Sequence, residues 1–224
     1  MGADGMHALR NFWSILLYEV IKMEFRDKIV VIDAGHGGKD AGAVWGDVME
    51  KDIALYTAKK LQEALSPLFG KVLLTRGTDM TLTIAGRDSY TRRVGADFFI
   101  SVHYNAGGND STRGGEIWLN QKAWGIYDFK WLANRYRDMR SYWRGLKKAE
   151  NWYGRVMWIA RRGYYVYSIP SMLWEVEFVQ RVANEGWWKN GKITEKGYTE
   201  LGMLIGSFAM EFGNFVKEYL TKHK

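Results

Sequence analysis

Three short runs, KIVVID (28–33), VLLT (72–75) and FFISV (98–102), are separated by segments whose apolar residues recur at helical spacing. This alternation constrains the fold more than any other feature of the chain. The runs are apolar at successive positions and rich in β-branched residues, the pattern of strands buried on both faces. Between the first two, Ala54, Ala58, Leu61, Leu65 and Leu68 mark one face of a helix from Asp47 to near Ser66, where Pro67 ends it. Residues 83–94 form a second helical segment, closed by Gly95. Strand, helix, strand, helix, strand predicts an α/β domain whose sheet is largely parallel and covered on both sides.

Further along, Glu116–Leu119 reads as a strand, residues 126–148 as one long or broken helix, and residues 156–159 with 164–167 as a hairpin turning at 161–163. Met172–Phe178 reads as another buried strand. Leu201, Leu204, Phe208, Phe212, Phe215 and Tyr219 make the core-facing stripe of a closing helix. Residues 11–20 (NFWSILLYEV) follow Arg10, but Glu19 interrupts them and no small-residue cleavage site follows, so residues 1–26 are expected as a helical arm ahead of one domain over 27–222. Export by this segment is the alternative.

Lys and Arg outnumber Asp and Glu by 32 to 25, a net charge of +7 that favours anionic surfaces such as a cell wall or outer membrane. The cations are spread out. Their one dense stretch, 135–148, contains Asp138 and is followed by Glu150, so it reads as a solvated helix face, and no nucleic-acid partner is expected.

The chain has no cysteine, so a bound metal must use His, Asp or Glu, and there are four histidines. In a parallel sheet, ligands bind beyond the carboxyl ends of the strands. His36, set between glycines in VIDAGHGGKD just past the first strand, and His103, at the end of the third, both reach that rim. The other two, His7 and His223, lie near the termini. A shared metal explains the pair, with two His, one carboxylate and a water as the usual catalytic zinc set. Glu50 is the candidate carboxylate, opening the helix after the His36 loop. Asp47 and Glu50 also have capping-box spacing, which needs no metal. The glycine loop fits neither common phosphate-binding pattern.

The strings IDAGHGGKDAGA, MEKDIAL, LLTRGTD, Arg87 ahead of GADFFISVHYNA, GGEIWL and PSMLWE, in order from Lys28 to Glu175, resemble the zinc-dependent N-acetylmuramoyl-L-alanine amidases of the type-3 class, found in bacterial wall hydrolases and phage endolysins. The resemblance implies a three-layer αβα fold around a twisted, mostly parallel mixed sheet. It implies Zn2+ on His36, Glu50 and His103, Glu175 as the catalytic carboxylate, and cleavage of the muramic acid–L-alanine amide of peptidoglycan. Where the family has Glu-x-Gly-Phe, this chain has Glu175-Val176-Glu177-Phe178. In a continuing strand Glu177 shares a face with Glu175 and modulates it or contacts basic substrate groups; if the strand stops at Val176, Glu177 faces solvent. Asn105 and Arg76 are further candidates for substrate contact, with capping and loop anchoring as their alternatives; Arg87 and Glu116 have plainer structural readings. The expected protein is a monomeric phage-type lysin, made in the host cytoplasm and acting at the periplasm or wall. A secreted enzyme, a zinc peptidase or amidase on another substrate, and an inactive wall-binding regulator blocked by residues 121–150 are the alternatives.

Overall fold

A computed structural model describes residues 25–151 and 158–223; the expected N-terminal helix lies outside them. Six strands form one sheet: β1 (Ile29–Ala34), β4 (Lys71–Leu74), β5 (Phe98–Asn105), β6 (Gly115–Leu119), β7 (Trp143–Lys148) and β8 (Ser171–Phe178), in the order β4-β1-β5-β8-β6-β7. The pairs β1–β4, β1–β5, β5–β8 and β6–β7 are parallel, and β6–β8 is antiparallel. Two small ribbons, β2 (Val44–Trp45) with β3 (Val48–Met49) and β9 (Trp188–Lys189) with β10 (Lys192–Ile193), lie outside it.

Side chains alternate across the pleat, and both sides are apolar. Val30, Ile32, Phe98, Ile100, Met172 and Trp174 enter one core cluster, while their neighbours Val31, Phe99 and Leu173 enter the other. The first cluster is closed by α1 (Glu50–Leu65), α3 (Lys130–Asp138) and α5 (Glu195–Lys222). The opposite face is covered by α2 (Ile84–Arg93) and short 3-10 turns at 158–160 and 165–167. A short α4 (Val179–Asn184) continues directly from β8. This is the expected three-layer αβα architecture with a mostly parallel mixed sheet.

α5 starts where the Thr194 hydroxyl accepts the Gly197 N–H at 3.1 Å. Its expected stripe is buried at Leu201, Leu204, Phe208, Phe212 and Phe215, and Phe208 stacks on Trp174 with ring centroids 4.1 Å apart. Burying such rings contributes about 1.5–3 kcal/mol each. No helix among the described residues is long and apolar enough to cross a membrane.

Two expectations are corrected. Residues 126–148 are not one helix: the chain forms α3, then enters the sheet as edge strand β7. The helical reading fails because WRGLKK (143–148) lacks β-branched residues and is a strand only through its partner β6. This segment packs on α5 and β7, where Glu211 of α5 accepts the Trp131 and Leu132 N–H groups at the start of α3, at 2.6 and 2.8 Å. Of the expected hairpin of 156–159 with 164–167, residues 156 and 157 lie outside the described residues, and 158–160 and 165–167 are 3-10 turns, not strands. Asn120 holds that stretch, its Nδ2 donating to the carbonyls of Val166 (3.0 Å) and Ile169 (2.8 Å).

Candidate metal centre

The loop after β1 is built to aim His36. His36 itself has φ 55, in the left-handed region. Its carbonyl accepts from Arg87 Nη2 at 2.7 Å, and Arg87 Nη1 donates to Ala34 O and pairs with buried Asp33. Asp33 also accepts the hydroxyls of Thr75 (2.6 Å) and Ser101 (2.8 Å), so the end of β1 is tied to both neighbouring strands. Arg87 is thus a loop anchor.

Glu50 is the first residue of α1. The capping box does not form: the N-cap position is Met49 without a side-chain cap, and Asp47 accepts instead from the Asn190 N–H at 2.6 Å. The Glu50 carboxylate is freed to turn inward. Its Oε2 accepts the Ala43 N–H at 2.9 Å and its Oε1 the Tyr104 N–H at 3.0 Å. The same Oε1 lies 3.0 Å from His36 Nε2 and 3.0 Å from His103 Nδ1. One potential ligand atom from each of the three residues falls within 4.8 Å of the others.

Two glycines make room for this convergence. A Cβ on Gly35 would stand 2.5 Å from the His103 ring, and one on Gly42 would stand 2.6 Å from His36 and 2.7 Å from Glu50. On the far side of His36, Nδ1 contacts Asp40 Oδ2 at 2.8 Å. A carboxylate on one imidazole nitrogen fixes the tautomer and leaves the other nitrogen for a ligand. Burial alone would raise the Glu50 pKa, but hydrogen bonds from His103 and His36 hold it well below the usual carboxylate range. Burial opposes a proton on His36, yet Glu50 and Asp40 together raise its pKa. Two imidazoles converging on a buried, ionised carboxylate fit a divalent metal ion, which takes neutral His and anionic carboxylate.

Glu175 stands beside this set. In β8 it is the register partner of His103 on β5 and of Glu116 on β6, so the three side chains occupy one row on the sheet. Its Oε2 is buried with no hydrogen-bond partner among the described residues. Burial, reinforced by the charges of Glu50 and Glu116, pushes its pKa well above the usual value. Glu116 is anchored by Arg144 Nε (3.0 Å), Trp118 Nε1 (3.0 Å) and Asn105 Nδ2 (3.3 Å). Asn105 therefore borders the site, bound to Glu116.

Two candidates are buried and bonded within the fold. Arg76 is buried, and its guanidinium donates to the carbonyls of Ala34, Gly35, Lys51 and Thr78, the loop-anchoring alternative, which makes it the pin of the His36 loop. Glu177 neither faces solvent nor joins Glu175. The strand continues to Phe178, but a bulge in β8 lies opposite Tyr104 and breaks the alternation on which the shared face depended. Glu177 is buried, accepting from the Gly114 N–H, the Phe178 N–H (3.0 Å) and the Ser141 hydroxyl (2.7 Å), with Arg181 Nη1 at 3.4 Å. Asp33 and Asp40 carry parts that sequence reasoning missed; the Asp following a strand-end His loop was the available signal for Asp40.

Fold and site together define a class: an α/β domain with a two-histidine, one-carboxylate set that could hold a metal at the carboxyl rim of a mixed sheet. The chain belongs to the Amidase_3 family, N-acetylmuramoyl-L-alanine amidase, which residues 30–200 match. It is 42% identical over 80 residues to the endolysin of Bacillus phage SPP1, a match covering 35% of this chain and 30% of that protein. It is 28% identical over 158 residues to the N-acetylmuramoyl-L-alanine amidase LytC of Bacillus subtilis, covering 69% of this chain and 30% of LytC. The chain thus spans about a third of the length of the curated relatives it matches. Among solved structures it resembles the catalytic domain of CwlV, an N-acetylmuramoyl-L-alanine amidase from Bacillus (Paenibacillus) polymyxa var. colistinus, with TM-score 0.59 and 26% identity over 87% of this chain and 98% of that one. The amidase of Clostridium difficile 630 shares the fold, with TM-score 0.65 and 22% identity over 85% and 97% of the two chains.

Proposed function

We propose that this domain hydrolyses the amide bond between N-acetylmuramic acid and L-alanine in peptidoglycan, as a zinc enzyme of the phage endolysin type. The observation that carries the reading is the convergence of His36, Glu50 and His103, with Glu175 the register partner of His103. Zinc bound there would supply Lewis acidity and lower the pKa of a water to about 7. His36, steadied by Asp40, together with His103 and Glu50 would hold the ion. Glu175 takes the proton of the attacking water and delivers it to the alanine nitrogen as the carbonyl C–N bond breaks, leaving a lactyl carboxyl and a free amine. Glu116, fixed by Arg144 and Trp118, sets a second negative charge beside Glu175 that favours its protonated form.

The likeness to a phage endolysin and the net charge of +7 support action on an anionic wall, after synthesis in a host cytoplasm. The test uses purified peptidoglycan with the untreated, chelated and zinc-restored protein. The expected result is new alanine amino termini without new reducing ends, lost on chelation and regained with zinc. Reducing ends in place of alanine termini, or activity indifferent to chelator, would overturn it.

A further inference from the structure

We propose that the rim of the sheet beyond β7 is a second polysaccharide site, which holds the peptide-stripped glycan strand left by the reaction. The proposal rests on the peptidoglycan reading. β6 and β7 run opposite to β8, so Leu119 and Lys148 end at the rim away from His103 and Glu175. Two cavities adjoin there and along β7, of about 750 and about 690 Å3, and Trp124 lines both. The smaller is walled by Tyr127, Trp131, Trp143 and Leu146, with Trp131 63% and Trp124 38% exposed. Flat aromatic walls with a polar edge match a pyranose ring, which has an apolar C–H face and a polar perimeter.

The larger cavity supplies charge and hydrogen bonds. Lys148, Arg161 and Arg162 line it against one carboxylate, Glu150. Lys148 Nζ lies 5.2 Å over the Trp124 ring and steadies the indole. Glu150 Oε1 is buried without a hydrogen-bond partner among the described residues, an acceptor placed for a sugar hydroxyl or acetamido N–H. Cleavage of the muramoyl amide leaves a lactyl carboxylate on each stripped sugar, so the product strand is an amino-sugar polymer with regularly spaced negative charges. Its rings suit the indoles and its carboxylates suit the three cations. Holding the product strand would keep the enzyme on a wall whose intact stems are still within reach of the other rim.

The experiment is binding of soluble, peptide-free peptidoglycan glycan strands to the whole chain, followed by tryptophan fluorescence and by sedimentation. Trp131→Ala, and separately Lys148→Ala with Arg162→Ala, alter exposed groups and leave the core intact. Each is expected to weaken binding about tenfold. The charge variant is also expected to lose much of the salt dependence, and chitin oligosaccharides, which lack the carboxylates, to bind more weakly than the strands. Binding should survive chelation and Glu175→Gln. Unchanged affinity in both variants, loss of binding on chelation, or tighter binding of a phosphodiester wall polymer than of the glycan would each overturn the proposal. Failure to release alanine termini, with strand binding still weakened in the variants, would remove the amidase reading and leave this site standing.

Discussion

Glu175 and Glu116 are register partners across β6 and β8, the antiparallel pair of an otherwise parallel sheet. Two carboxylates lie side by side with opposite fates. Glu116 is fixed by Arg144, Trp118 and Asn105, whereas Glu175 keeps one oxygen unpartnered among the described residues. The first is a fixture, and the second is the carboxylate to which the proposed reaction gives the proton.

Replacing Glu175 by Gln keeps the shape and removes the base. Turnover on peptidoglycan is expected to fall about 10²–10⁴-fold, while bound zinc, measured by elemental analysis, stays at the wild-type level. Glu116→Gln is expected to fall between the two. Loss of zinc from Glu175→Gln would make it a ligand instead.

Glu50→Ala removes the carboxylate on which both imidazoles converge. Zinc content and activity are both expected to disappear. Zinc should raise the thermal midpoint of the wild type but not of the variant, because a ligand that binds only the native state stabilises it. Equal shifts would place the ion elsewhere.

Arg181→Met strands the Glu177 carboxylate in the core beside Tyr136 and Tyr104. Breaking a buried pair from one side costs about 3–5 kcal/mol, read as a lowered urea midpoint. Glu177→Gln keeps acceptors for the Gly114 and Phe178 N–H groups and is expected to cost about 1 kcal/mol. Activity per folded molecule should be unchanged in both, which a substrate-contacting Glu177 would not allow.

Glu211 gives a pH signature. Burial raises its pKa despite the hydrogen bonds from Leu132 and Trp131. A carboxyl whose folded pKa exceeds its unfolded value binds more protons when native. Its contribution to stability is therefore greatest below the unfolded pKa, declines as pH rises through the raised folded value, and is constant above it. Urea midpoints across that window should fall with rising pH in the wild type, and fall less in Glu211→Gln. Identical slopes would refute the assignment.

Strands buried on both faces were legible in the sequence because both pleat faces must be apolar there, as Val30, Val31 and Ile32 illustrate. The metal set was legible because a chain without cysteine has few donors, and two of its four histidines fall at strand ends. What escaped depended on partners distant in sequence. WRGLKK becomes a strand only beside β6, and the turns near Val166 depend on the side chain of Asn120. A bulge opposite Tyr104 sends Glu177 into the core, where Arg181 and Ser141 meet it. No local pattern encodes such encounters.

The reversal of β6 and β7 has a consequence for how a chain of this kind can change. Loops that follow the forward strands meet at one pole, and loops that follow the reversed pair meet at the other. Substitutions at Trp124 or in the turn at 161–163 are separated from His36 and His103 by the length of the strands. The reaction can stay fixed while the opposite pole drifts toward a new attachment, so catalysis and address are inherited as nearly separate traits.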